Sequence, residues 1–326
     1  MAVSRLASGV LAHRVVTTAD GVQIHVVETG DPAGRPIVFV HGISQSWRSW
    51  AGQLGDPGLA ARYRLVALDL RGHGESAGAY GALDPGGRPL GLLAGERYDD
   101  GTMEGASRLW AHDLDAAIGA LGLADAVLVG WSYGGAVVQG YLLTHGGLGA
   151  AGQAVLFATV PVIMSPGSPG SERDFAVREE ALGALLQVLP VDPSADPPRP
   201  NDHGTIARGL AEFNDRCLAD ETGRGDSPAE LVYAASAASL LSPPEVRLAI
   251  LSRAFDYRPF LAGLPEGERA RVCAVTPQGD RVFRAEMLNR FWDEARVANT
   301  RVAAEGHAFM LRNPEGFNAL LANLAG

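Results

Sequence analysis

Apolar residues fall into short, nearly continuous runs in the first half of the chain and again near its end, and into helix-spaced stripes elsewhere. The runs at 36–40, 64–69, 126–129, 153–159 and 271–276 predict strands whose two faces are both covered by helices. Ahead of them, 15–18 and 23–28 flank Asp20-Gly21, a hairpin signal, so the sheet is expected to start with an antiparallel pair. The pattern also predicts an irregular helix over 47–62 and an amphipathic helix over 103–123, with a Gly-, Pro- and Asp-rich loop at 77–103 between. From 161 to 265 no sheet-like run appears, only helix-like segments (172–189, 206–219, 228–241, 244–255) set apart by proline-rich stretches. Alternation then resumes with a helix at 284–296, a strand at 300–304 and a final helix at 314–325. The expectation is α/β, a mostly parallel doubly wound sheet built from 1–160 and 266–326, interrupted by a helical cap at 161–265.

Composition narrows the function classes. The net charge is −10 and the arginines form no tract, which argues against nucleic-acid binding. All 27 basic residues are arginine, which excludes lysine Schiff-base chemistry. Cys217 and Cys273 are far apart and lack C-x-x-C spacing, so no disulfide framework or zinc site is expected, and neither is any metal or cofactor. The first eleven residues lack a long apolar stretch and no run reaches membrane-spanning length, so a cytoplasmic protein free of membrane is expected. Its partner would be a small-molecule substrate; oligomeric state is not readable.

The most informative stretch is Val127-Leu128-Val129-Gly130-Trp131-Ser132-Tyr133-Gly134-Gly135. A buried strand ends at one serine and turns at once into a helix. Glycines two residues either side suit a turn with no room for side chains, and Ser132 itself is expected in a strained backbone conformation. That geometry presents a hydroxyl at the C-terminal edge of the sheet, over a helix N-terminus that favours negative charge.

A nucleophilic serine needs a base, and the base an orienting acid. His307 follows the last strand, in Gly306-His307, at the end of the sheet where ligands bind. His41 and His73 also follow strands, but their Gly-bounded turns favour loop hydrogen bonding. Asp280, in Gly279-Asp280-Arg281-Val282, follows the strand at 271–276 directly. Asp69 ends a strand too, but its neighbours Arg71 and His73 suggest a structural loop network.

Taken in order, His41-Gly42, Asp69-x-Arg71-Gly72-His73-Gly74-x-Ser76, the elbow, Gly279-Asp280-Arg281-Val282 and Gly306-His307 resemble an α/β-hydrolase fold protein with a helical cap. The likeness covers nearly all of the chain, although residues 160–265, the cap, carry no matching motif. It implies acyl transfer by Ser132, Asp280 and His307, with the backbone N–H groups of Ile43 and Tyr133 as oxyanion donors. Similar capped epoxide hydrolases and haloalkane dehalogenases use an aspartate nucleophile, and Ser132 speaks against both. A carboxylic ester or lactone of a small, mainly apolar substrate is the expected target. A C–C hydrolase, an acyltransferase, or a hydrolase-fold binding protein with negligible turnover are the alternatives.

Ser44, Gln45, Trp131, Met164 and Phe309 adjoin these positions in sequence and are candidates for the pocket wall, with core packing as the equal alternative. In the cap, Leu182, Leu185, Leu186, Leu189, Leu240 and Leu241 suggest an apolar acyl pocket. The charge run Arg178-Glu179-Glu180 reads as a solvated helix face.

Overall fold

A computed structural model describes residues 10–76, 108–163, 171–192, 197, 199–220, 227–251, 255–303 and 305–326. Eight strands form one sheet: β1 (Ala12–Thr17), β2 (Gln23–Gly30), β3 (Arg35–Val40), β4 (Tyr63–Leu68), β5 (Ala126–Trp131) and β6 (Ala151–Phe157), then the two late strands 272–277 and 298–302. Two short ribbons lie between these groups in sequence. One pairs β7 (Val162–Ile163) with β10 (Phe255–Asp256), and the other pairs β8 (Val191–Asp192) with β9 (Arg199–Pro200). The late sheet strands are therefore β11 (Val272–Pro277) and β12 (Ala298–Val302).

The sheet order is β1-β2-β4-β3-β5-β6-β11-β12. The expected hairpin opens it: β1 and β2 pair antiparallel around a turn closed by Thr18 N–H to Val22 C=O at 2.9 Å. β2 is also antiparallel to β4, and every later pair is parallel. β5, at the centre, is buried along its whole length, as a strand covered on both faces must be. Helices Arg108–Leu121, Tyr133–His145, Ala285–Glu294 and Pro314–Ala325 provide that cover.

The segment between β6 and β11 adds no strand to the large sheet. Its main helices are Glu179–Gln187, His203–Leu218, Ala229–Leu240 and Pro244–Leu251. The single helix expected over 172–189 is broken: Ser171–Asp174 is separate, and Val177 bridges to Phe283 before the next helix begins. The two ribbons were not expected, because a two-residue strand has no periodicity to read. The expected loop at 77–103 lies outside the described residues. Among the described residues no helix is long and apolar enough to cross a membrane.

Candidate active site

Ser132 stands between the end of β5 and helix Tyr133–His145 with φ 54° and ψ −122°, a conformation that L residues avoid. The turn is held by Ser132 N–H to Phe157 C=O at 3.0 Å and Gly135 N–H to Ser132 C=O at 2.9 Å. The flanking glycines are forced by space. A Cβ on Gly134 would sit 2.3 Å from the Val40 carbonyl oxygen, and one on Gly130 would sit 2.6 Å from the Gly134 carbonyl oxygen. A Cβ on Gly42 would lie 3.2 Å from Cβ of Ser132, so the loop after β3 packs directly against the serine.

Asp280 and His307, at the ends of β11 and β12, meet. His307 Nδ1–H donates to Asp280 Oδ2 at 2.8 Å, and both side chains are buried. The other oxygen, Oδ1, accepts from the backbone N–H groups of Val282 (2.7 Å) and Phe283 (2.9 Å), so three donors fix one carboxylate. His307 is held from behind by Trp131, whose indole Nε1–H donates to the His307 carbonyl at 2.8 Å. Since Trp131 immediately precedes Ser132, the elbow and the histidine loop share one rigid joint. Phe283 meets the imidazole edge to face at 5.3 Å. Gly279 N–H to Glu305 C=O and Ala308 N–H to Cys217 C=O lock the two loops to each other and to helix His203–Leu218.

The rival residues are engaged elsewhere. His41 donates from Nδ1 to Gly42 C=O at 2.7 Å and accepts at Nε2 from Leu70 N–H at 3.0 Å. Burial lowers its pKa, and burial takes His73 down to about 3. Both are neutral structural imidazoles. Asp69 accepts from Trp47 N–H (2.7 Å), Glu75 N–H (2.9 Å) and His25 Nδ1 (3.0 Å), the loop network its neighbours suggested, with His25 as the partner the sequence did not reveal.

Ser132, Ile43 and Tyr133 line a cavity of about 270 Å³. Leu182, Leu185, Leu186, Leu189, Phe213 and Leu248 also line it. Leu240 and Leu241, grouped with these leucines on sequence grounds, point to solvent instead. The pocket residues chosen for their sequence neighbourhood fare differently again. Ser44, Gln45, Trp131 and Phe309 are buried but do not line the cavity. Ser44 accepts from Arg247 Nε (2.9 Å), Gln45 bonds Asn214 and Ser239, and Phe309 packs on Phe157 and Phe317. Met164 lies outside the described residues. Phe283 and Phe213 were missed; the apolar pair Val282-Phe283, two residues past Asp280, was the available signal for the first. Arg178 also differs from the expected solvated face: Glu179 and Glu180 are exposed, but Arg178 Nε donates to the carbonyls of Asp280 (3.1 Å) and Phe283 (3.3 Å).

A serine over a helix N-terminus that faces an apolar cavity, preceded by a tryptophan bonded to the loop of an imidazole braced by a buried carboxylate, supplies the groups that nucleophilic acyl transfer uses. Comparison with known proteins gives the same class of scaffold. The chain is 37% identical over 150 residues to a non-heme haloperoxidase of Rhodococcus erythropolis, covering 46% of this chain and 45% of the relative. It is 32% identical over 168 residues to epoxide hydrolase B of Mycobacterium tuberculosis, covering 49% and 40%. The match thus spans less than half the length of these relatives. An esterase from Rhodococcus sp. ECU1013 superposes over 96% of this chain and 98% of its own with a TM-score of 0.70 at 27% identity. The profile of the alpha/beta hydrolase family matches residues 37–320, most of the sequence, and the chain belongs to that family.

Proposed function

We propose that the protein is a serine hydrolase that cleaves carboxylic esters or lactones of small, mainly apolar acids through an acyl-enzyme. The observation that carries this reading is the braced imidazole: Asp280 holds Nδ1–H of His307 at 2.8 Å, which leaves Nε2 as the basic nitrogen, on the loop that Trp131 ties to Ser132. His307 takes the Ser132 proton as Oγ attacks the carbonyl carbon, and returns it to the leaving oxygen. Asp280 keeps the tautomer and stabilises the imidazolium. The carbonyl oxygen, now anionic, is received by the backbone N–H groups of Ile43 and Tyr133, two residues whose positions beside Ser132 on the cavity wall support that role. Water, activated by the same histidine, then releases the acid.

The segment 161–265 acts as the cap that shapes the acyl site. Its leucines, which line the same cavity as the serine, favour an alkyl or aryl acyl group over a charged one. A serine rather than an aspartate at the elbow separates the chain from the epoxide hydrolases it partly matches. The test is turnover of p-nitrophenyl esters of increasing acyl length by the wild type and Ser132→Ala. Chain-length-dependent hydrolysis that vanishes in the variant is expected; equal rates in both proteins, or none in either, would overturn the reading.

A further inference from the structure

At the antiparallel end of the sheet, away from the cavity, three polar side chains converge. His13 on β1 pairs with Val27 and His25 on β2 pairs with Val15, so the two histidines lie on one face as diagonal neighbours. His13 Nδ1 is 2.9 Å from His25 Nε2, and Glu75 Oε2 is 3.0 Å from that same nitrogen. All three atoms lie within 4.8 Å of one another. Glu75 is delivered by the loop after β4, which is fastened to β2 on both sides of His25. Asp69 N–H donates to His25 C=O at 2.9 Å, and His25 N–H donates to Ser76 Oγ at 2.8 Å.

The hydrogen bond behind His25 decides what the cluster can hold. Its Nδ1 faces the fully buried carboxylate of Asp69, an acceptor with no proton to give, so Nδ1 carries the hydrogen. In the neutral ring Nε2 is then left with a lone pair, directed at a carboxylate oxygen and a second imidazole nitrogen. With His13 in its Nε2–H tautomer, all three atoms turn electron pairs to one point, a set that suits a cation. A carboxylate bonded to one ring nitrogen, with the other nitrogen facing the ion, is how proteins orient histidine ligands.

We propose that His13 Nδ1, His25 Nε2 and Glu75 Oε2 form a binding site for a divalent transition ion such as Zn²⁺, with Asp69 as the group that orients His25. Two imidazoles and one carboxylate match the donor preferences of zinc. His13 and Glu75 are exposed, which leaves a fourth position for water. Bonds of about 2.1 Å to a tetrahedral ion put its ligand atoms about 3.4 Å apart. The observed 2.9 and 3.0 Å therefore widen by a few tenths of an ångström, within reach of two exposed side chains. Arg48 Nη2 holds the other Glu75 oxygen at 2.7 Å, which aims Oε2 at the site; its charge opposes the ion, but it is exposed and screened. The ion would staple β1, β2 and the loop after β4 together. It takes no part in the acyl chemistry.

Calorimetric titration of the tag-free, chelator-stripped full chain with ZnCl₂ tests this, with melting temperatures recorded with and without the ion. One ion per chain and a rise in Tm are expected. His13→Ala and Glu75→Gln should each weaken binding by about tenfold or more, whereas His203→Ala, on the cap helix His203–Leu218, should not. The melting temperatures of the metal-free variants show that they remain folded. Electron paramagnetic resonance with Cu²⁺ should show coupling to two imidazole nitrogens in the wild type and one in His13→Ala. No heat of binding at micromolar zinc, or an affinity unchanged in both ligand variants, overturns the proposal.

Discussion

The two walls of the cavity are built by opposite rules. On the sheet side the polar groups are tightly placed: Asp280 accepts from three donors, the His307 loop is bonded by Trp131 and by the Cys217 carbonyl of helix His203–Leu218, and the Ser132 backbone is held in a strained turn. On the cap side the wall is leucine and phenylalanine, whose contacts are short-ranged and interchangeable. Polar anchors cross between the two segments, among them Arg247 to Ser44, Gln45 to Asn214 and Ser239, and Arg178 to the carbonyls of Asp280 and Phe283. The difference suggests a division of labour. Under the proposed function, the frame would fix which bond is broken and the cap which acyl group is accepted.

Substitutions that damage the frame should have the largest effects. Ser132→Ala is expected to lower kcat on p-nitrophenyl esters by about 10⁶-fold with the circular dichroism spectrum unchanged. Asp280→Asn should lower it by about 10⁴-fold, because the amide no longer selects the productive tautomer of His307. Either protein retaining wild-type turnover would erase the distinction between the walls. Gly134→Ala drives a Cβ to 2.3 Å from the Val40 carbonyl oxygen and should cost about 3 kcal/mol or more in urea unfolding.

Changes on the cap side should be smaller and of another kind. Leu185→Phe fills the acyl site, and the preferred ester should become shorter, with kcat/KM for the longest good substrate falling about tenfold and that for acetate nearly unchanged. A uniform fall across all chain lengths would mean that the cap contributes to chemistry as well. Arg247→Met tests the crossing anchor: about 2 kcal/mol of stability should be lost with the Ser44 hydrogen bond, and kcat should drop more than KM rises, because Ser44 adjoins the proposed oxyanion donor Ile43.

A further effect concerns pH. Burial depresses His73 from 6.5 to about 3, so as the pH falls below about 6.5 the unfolded chain binds a proton that the folded chain refuses. Folding stability contributed in this way is complete above that pH and declines toward 3. His73→Gln should flatten the acid limb of a urea-midpoint curve measured from about pH 7 to about pH 4; an unchanged slope would show that His73 is not held neutral.

The frame was largely readable from sequence because its signals are local. Ser132 directly follows the buried strand β5 and Asp280 lies three residues past the apolar strand β11, while His307 comes five residues past the mostly exposed β12 and carries a weaker signal; the glycines around the elbow are demanded by contacts of 2.3 to 2.6 Å. The cap was not, for equally physical reasons. The ribbon of β7 and β10 joins residues about ninety positions apart, and leucines on a helix look alike whether they face a cavity, as Leu182 does, or water, as Leu240 does. Adjacency in sequence misled for Ser44, Gln45 and Phe309, since neighbouring residues in a turn point in different directions. The cluster of His13, His25 and Glu75 was invisible for a related reason: strand register and a loop bring it together, and no spacing rule announces it.

The most direct test of the central claim is the mass of the protein after brief treatment with a fluorophosphonate, followed by peptide mapping. A single adduct on the peptide containing Ser132, absent in Ser132→Ala and slowed in His307→Ala, is the predicted result. An adduct on another residue, or none while the wild type still hydrolyses esters, would contradict it.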